Sequence, residues 1–546
     1  MIHNPVLPGF NPDPCICRRG DDYYLMVSSF EWMPCLPVYH SKDLENWELL
    51  CNVLGDDKVD LKKLPSSKGI WAPCLTWCES EGLFYVVYGV MNSMNARYFD
   101  VDNFVITSPN ITGPWSESVY LHSAGFDASI LHDDDGKKYI VSLEWETRDS
   151  YEKPGVICLA EYDSGSKKIK GYPKRIWRGG TDRGCIEAPH LYKKNGWYYL
   201  MCAEGGTGYN HCVTVARAKN VWGPYESDPE NPIITSQPSP SNERADSDHL
   251  KPIYYNPDSV LQKSGHGSLV ETPSGEPYVA HLCSRPFVPE LCCTLGRETA
   301  IQKMRWTADG WLRMADGGNI AKEEVPSLLD SKSSEEPKPL SIRDDFDGEK
   351  IAPFYYAPRQ NPERFASVSE RKGWLRLTGG ESLCSLNRVS LLCRKLTSLN
   401  AEITVKMDFS PEIYQHSAGL VFFYDNMDYI FLRKYWSDTL KSEALGIIEL
   451  NNGVKTEYKN SRIAAPNAPI LLKLKIDGRQ TRFFWSDKTD ENASFTPIGK
   501  PFATSHLSDE YCSFGEFTGA MVGIACVDQM FHRKNADFDF FEYKEL

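Results

Sequence analysis

Asp22-Tyr23-Tyr24-Leu25-Met26-Val27 is a tight turn running into an aromatic-rich strand, and the same signal returns four more times. The copies are Gly82-Leu83-Phe84-Tyr85-Val86-Val87, Gly136-Lys137-Lys138-Tyr139-Ile140-Val141, Gly196-Trp197-Tyr198-Tyr199-Leu200-Met201 and Gly275-Glu276-Pro277-Tyr278-Val279-Ala280. Tyr24, Tyr85, Tyr139, Tyr198 and Tyr278 are separated by 61, 54, 59 and 80 residues. Short strands and turns at such a period read as the blades of a β-propeller, here five of them. A later half also recurs, a polar strand end followed by an Asn/Asp turn pinned by an aromatic residue, at Trp47, Trp115 and Tyr225. The strand before each tyrosine strand is the innermost, so its residues face the central channel.

Counting back 11, 12 and 11 residues from Tyr24, Tyr139 and Tyr198 reaches Asp13, Asp127 and Glu187. The matching places in the other two copies are Trp71, 14 before Tyr85, and His266, 12 before Tyr278. One isolated acid is most often a solvated surface group. Three at one repeated position, each bounded by apolar or small residues, point to a shared site, because clustered like charges destabilise a fold and need a reason.

The chain has 546 residues, a net charge of −14, 41% hydrophobic and 12% aromatic residues. That length predicts two domains. The acidic balance argues against nucleic acid and anionic membrane surfaces as partners and favours a neutral substrate. Met1-Ile2-His3-Asn4-Pro5 carries no signal-peptide pattern, and no run of apolar residues is long enough to span a bilayer. Many of the 17 cysteines lie in apolar strand patterns, which reads as buried free thiols in a reducing, cytoplasmic setting. Cys15-Ile16-Cys17 and Cys74 with Cys78 lack a partner pair at ligand spacing, so no zinc site is expected from them. Gly205-Gly206-Thr207-Gly208 lacks the following helix and lysine of a phosphate loop and reads as a blade turn.

The propeller is expected over 1–322. Residues 323–343, rich in Pro, Ser and charge, read as a linker. From 344 to 546 the pattern alternates. Ile403, Val405, Met407 and Phe409 interleave with Glu402, Thr404, Lys406 and Asp408, and similar runs follow. Period-two strands with few helical stretches predict a β-sandwich. The fold class is therefore all-β, a five-bladed propeller followed by a sandwich.

Hydrolysis of a glycosidic bond would use three carboxyl groups. One protonates the leaving oxygen, one activates water or attacks carbon, and a third keeps the acid protonated by like-charge repulsion. Glutamate's longer arm suits Glu187 to the acid role. Asp13 and Asp127 then divide into base and modulator, in an order the residues alone leave open.

Asn11-Pro12-Asp13-Pro14, Gly69-Ile70-Trp71-Ala72-Pro73, Phe126-Asp127-Ala128-Ser129, Glu187-Ala188-Pro189-His190 and Gly296-Arg297-Glu298-Thr299 together resemble glycoside hydrolase family 43. The likeness covers essentially the whole chain and is narrower to its two-domain β-xylosidases, whose sandwich is concanavalin-like. The resemblance implies Asp13 as general base, Asp127 as modulator and orienter, Glu187 as general acid, and inversion at the anomeric carbon. Cys15 departs from the serine usual there.

The same resemblance implies further roles, each beside a plainer one. Trp71 would wall the sugar, or fill the propeller core. Arg297 would bond sugar hydroxyls, or pair with Glu298 or Asp127. His266 would sit beside a hydrated Ca2+ in the channel, or stay a neutral axial histidine. Phe30 and Trp32 would line the entrance, or pack. Phe517 would touch the aglycone side from a sandwich acting as a lid rather than as a separate sugar-binding module.

A blocked mouth implies an exo-acting enzyme releasing xylose from xylobiose and short xylo-oligosaccharides. The alternatives are α-L-arabinofuranosidase activity and, from another class, a sugar-binding propeller without catalysis. No cofactor is expected for the chemistry, and a homo-oligomer stays open.

Overall fold

The computed structural model describes residues 1–149, 155–238, 255–328, 338–490 and 493–546. Among them, five separate antiparallel sheets form the first part of the chain. Their innermost strands are Cys15–Arg19, Gly69–Cys78, Ser129–His132, Glu187–Lys194 and Gln262–Glu271. Each is followed by its tyrosine strand, as in Asp22–Met26 pairing with Cys15–Arg19 so that Tyr24 faces Cys17. Each inner strand packs on that of the next blade, and the fifth returns to the first, so the sheets close into a five-bladed ring. The later-half turns are pinned as expected: Trp47 Nε1 donates to Leu44 O at 3.0 Å, and the Tyr225 hydroxyl to Val221 O at 2.8 Å.

Ring closure uses residues the sequence reading assigned to the linker. Ile2–His3 pairs with Glu324–Val325, with Ile2 and Val325 buried and Glu324 exposed. Asn4 Nδ2 adds bonds to Ile301 O and Lys322 O. Ser341–Asp344, at the other end of the expected linker, pairs with Asn535–Glu545. Both ends are edge strands whose exposed faces are polar, which is why composition reads them as linker; 329–337 lie outside the described residues.

The second part is two facing sheets. One is centred on Asn400–Asp408, paired with Asn535–Glu545 and Ile470–Asp477; the other on His416–Asp425, paired with Met521–Asp528 and Asp428–Ser437. Ile403, Val405 and Met407 are buried between them, as the alternation requires.

The two parts share one core. Phe10, Phe30, Trp32, Trp71 and Phe126 of the propeller form a continuous apolar cluster with Tyr356, Leu391, Val421, Phe423 and Met521 of the sandwich. Trp32–Met33 pairs with Ala357–Pro358 across the boundary, and the Trp32 ring stands edge-on to Phe423 at 5.8 Å. Of the two places open to Trp32, entrance or packing, it takes the second and is buried in this seam. Trp32→Ala should destabilise the protein by about 3–5 kcal/mol, as truncation of a buried aromatic does. Trp32→Phe should lose far less, because the indole N–H has no partner among the described residues. Urea unfolding checks both; equal losses would show that ring volume is not what joins the domains.

Candidate active site

Five inner strands enter the axis through a residue in left-handed backbone conformation: Asp13 at φ 55°, Ala72 at 36°, Asp127 at 54°, Ala188 at 52° and His266 at 51°. Such φ values are uncommon outside glycine and cluster at functional sites. Asp13, Asp127 and His266 occupy the left-handed place itself. Trp71 and Glu187 stand one residue earlier, at irregularities where Trp71 pairs with Gly89 and Cys74 with Val87, and Glu187 with Ala203 and His190 with Met201. Counting back 11 to 14 residues from each tyrosine therefore reaches these residues, although their backbone positions differ by one.

All eight site residues expected from the sequence line one cavity of about 130 Å³: Asp13, Phe30, Trp71, Asp127, Glu187, His266, Arg297 and Phe517. The Ser28 hydroxyl donates to Asp13 Oδ2 at 2.6 Å and itself receives the Ala72 N–H at 2.7 Å, tying the first two blades together at this carboxyl. His266 Nδ1 lies 3.5 Å from Asp13 Oδ1. Asp127 Oδ2 accepts the Ala188 N–H at 3.0 Å. Burial, then the charges of Glu187 and Asp13, push the Asp127 carboxyl well above its ordinary range. The Asp127 carboxyl thus keeps its proton to higher pH than an isolated aspartate would. Glu187 Oε1 stands 3.7 Å from His211 Nε2. That approach explains Gly265, where a Cβ would fall 2.3 Å from the His211 ring.

The walls are aromatic. Trp71 is met edge-on by Phe30 at 6.0 Å, Phe126 at 5.8 Å and Phe517 at 5.9 Å, and its Nε1 donates to Ser67 O at 2.8 Å. Phe30 is wholly part of this wall. Arg297 is buried, yet its partner is neither Glu298 nor Asp127. Its Nη1 bonds Asp509 of the sandwich, Nε donates to Thr207 Oγ1 at 3.0 Å and Nη2 to Thr207 O at 3.1 Å. Glu298 is taken by Arg285. Thr207 belongs to the Gly-rich turn, which serves as a bracket for this guanidinium. Arg297 also lies over the Phe517 ring at 4.9 Å.

Sequence reasoning missed Met94, Phe99 and Trp145, which complete the wall; the Phe99 and Trp145 rings stack at 4.4 Å. Met94 and Phe99 come from the long hairpin of Leu83–Asn95 and Tyr98–Ser108, an extension peculiar to the second blade and so invisible to a repeat. A hydrated Ca2+ beside His266 would find among the described residues one imidazole and the Asp13 carboxylate. Calcium takes about six to eight oxygens, waters included, so most of its shell there would be water.

Residues 2–312 match the model of glycosyl hydrolases family 43, and 343–544 that of the β-xylosidase C-terminal concanavalin A-like domain. The chain is 38% identical to xylosidase/arabinosidase 43B of Humicola insolens and 37% identical to a β-xylosidase of Bacillus subtilis, each over 100% of this chain and 98% and 99% of theirs. It superposes on the crystal structure of a xylan β-1,4-xylosidase from Bacillus halodurans with a TM-score of 0.91 and 41% identity, both chains covered in full. A coupled trio of carboxyls in one aromatic cavity, on this propeller and under this sandwich, places the chain in glycoside hydrolase family 43.

Proposed function

We propose that the protein is an inverting exo-β-1,4-xylosidase that removes xylose from the non-reducing end of xylobiose and short xylo-oligosaccharides. The observation that carries this reading is the small cavity where Asp13, Asp127 and Glu187 meet beneath the sandwich residues Glu516 and Phe517. A polymer strand threading through would need an open groove; a cavity capped by a second domain suits a chain end. The relatives named β-xylosidase support the same substrate class.

In this reading Asp13 is the general base. Ser28 fixes one of its oxygens, which leaves the other toward His266 and the cavity. Glu187 is the general acid, and Asp127, oriented by the Ala188 N–H, stands near enough for the two carboxyls to repel as like charges. Two carboxyl groups at inverting separation, about 6.5–9.5 Å, leave room for the attacking water. Trp71 and Phe30 supply apolar faces for the ring, and Arg297, bonded to Thr207 and Asp509, fixes the cavity wall beside it. These groups do the acid and base work without a cofactor. The 17 free thiols, most of them buried, support a reducing, cytoplasmic setting.

Asp13→Ala should lower kcat by about 10²–10⁴-fold, since nothing else would activate the water. Glu187→Ala should reduce turnover of xylobiose much more than that of 4-nitrophenyl xyloside, whose leaving group needs little protonation; equal losses would remove the acid assignment.

Asp127→Asn tests the modulator. Removing its charge should move the basic limb of the kcat–pH profile to lower pH, because the acid then loses its proton more easily. An acid whose pKa rises on folding favours the fold below its ordinary 3.8 and loses that contribution as pH climbs toward the raised value. The asparagine variant should therefore melt higher than the wild type at neutral pH, and a lower midpoint would contradict the like-charge account.

A second reading, α-L-arabinofuranosidase activity, is favoured by the relative named for both activities. Comparing kcat/KM on the 4-nitrophenyl β-xyloside and α-arabinofuranoside separates them, with the xyloside expected to lead. A hundredfold preference for the arabinoside would reverse the assignment, and β-xylose as the first anomer seen by NMR would exclude inversion. A propeller that only binds sugar predicts unchanged xylobiose on prolonged incubation.

A further inference from the structure

One layer below the cavity, the inner strands bring a second set of side chains to the axis. Cys15 lies two residues beyond Asp13, Cys74 three beyond Trp71, His190 three beyond Glu187 and Ser268 two beyond His266. The Cys15 and Cys74 sulfurs and a ring nitrogen of His190 lie within 4.8 Å of one another, and all three residues are buried. Cys74 Sγ is 3.9 Å from His190 Nδ1, and Ser268 Oγ is 3.7 Å from Cys15 Sγ. Four blades thus contribute to one polar cluster in a layer where aliphatic side chains would fill the core.

From this geometry we infer a tetrahedral site for a thiophilic divalent metal of the Zn2+ class, with Cys15, Cys74 and His190 Nδ1 as ligands and the Ser268 hydroxyl or a water in the fourth position.

The dimensions fit. Zinc–sulfur and zinc–nitrogen bonds of about 2.3 and 2.0 Å in a tetrahedron put sulfur and nitrogen about 3.6 Å apart and the two sulfurs about 3.8 Å apart. The Cys74–His190 edge, at 3.9 Å, needs only a few tenths of an ångström of contraction, and the other two edges, each within 4.8 Å, at most about 1.3 Å. The chemistry fits as well. Two thiolates neutralise a divalent ion, so the bound site carries no net charge into a buried layer. Binding releases the two thiol protons to solvent. Leu75 N–H donates to Cys15 Sγ at 3.2 Å, a bond that a thiolate accepts more strongly than a thiol. The ion would pin three inner strands immediately beneath Asp13, Trp71 and Glu187, which makes it a structural clamp that touches no substrate. Ligand spacings of 59 and 116 residues hide the set from any linear motif.

The full-length protein, purified without chelator, should hold one zinc per chain by mass spectrometry. Replacing zinc with cobalt should give one equivalent with thiolate-to-cobalt charge-transfer absorption and strong tetrahedral ligand-field bands. The Cys15→Ser/Cys74→Ser double variant and His190→Ala should each weaken binding by at least about a hundredfold, more than the loss of a supporting contact; Cys78→Ser, a buried thiol on the same strand as Cys74, should not. Added Zn2+ should raise the melting midpoint of the wild type and of Cys78→Ser alone. Cadmium-113 NMR of the wild type needs no variant to fold and should show one resonance in the range of two thiolates with nitrogen. Absence of that resonance, a shift typical of oxygen ligands, or cobalt absorption that survives the double serine variant would overturn the site.

Discussion

Five strands must reach a common axis without their side chains colliding, and this constraint governs the rest of the molecule. The chain meets it by bending each strand at its inner end through a left-handed residue, a conformation that costs of order 1–3 kcal/mol apiece for residues other than glycine. The bend turns Asp13, Asp127 and His266 toward the axis and holds Trp71 and Glu187 one residue before it. Strain of this kind persists only where the surroundings over-determine it. Closure of the ring by Ile2–His3 on Glu324–Val325 supplies part of that determination. The Ser28 bridge between Asp13 and Ala72, and the Ala188 N–H on Asp127, supply more.

The propeller by itself would leave this axis open at one end. The sandwich supplies the missing wall and does so with charge as well as shape. Arg297 of the fifth blade reaches Asp509, Lys263 reaches Glu510, and both acids are buried. Buried ion pairs of this sort add little net stability, since desolvation offsets their attraction. Their use here is registry: they set the sandwich at one height above the channel, so that Phe517 meets Trp71 edge-on and lies under the Arg297 guanidinium. Gly296 marks how close the two domains come, because a Cβ there would stand 2.3 Å from Thr518 O. The site is a product of two domains, and the apolar seam around Trp32 and Phe423 makes them one body.

Within that cavity, electrostatics and burial act in the same direction. Burial and the like charges of Glu187 and Asp13 both raise the Asp127 carboxyl above its ordinary range. The layer beneath is polar for a related reason of geometry: every inner strand presents alternate residues to the axis, so the positions after Asp13, Trp71, Glu187 and His266 converge as the first set does.

The amino-acid sequence alone determined the blade count, the alternation of the sandwich and the three acids, because strand periodicity and turn chemistry are local and repeat with the fold. It also carried the family likeness in five short motifs. Only the tertiary structure decided that Arg297 pairs with Asp509, 212 residues away, that Met94, Phe99 and Trp145 complete the aromatic wall, and that Cys15, Cys74 and His190 meet. Trp32 went to the seam and the linker's ends to edge strands for the same reason. Which side chains share a cavity depends on how blades and sheets pack against each other, and no local pattern records a neighbour that comes from another blade.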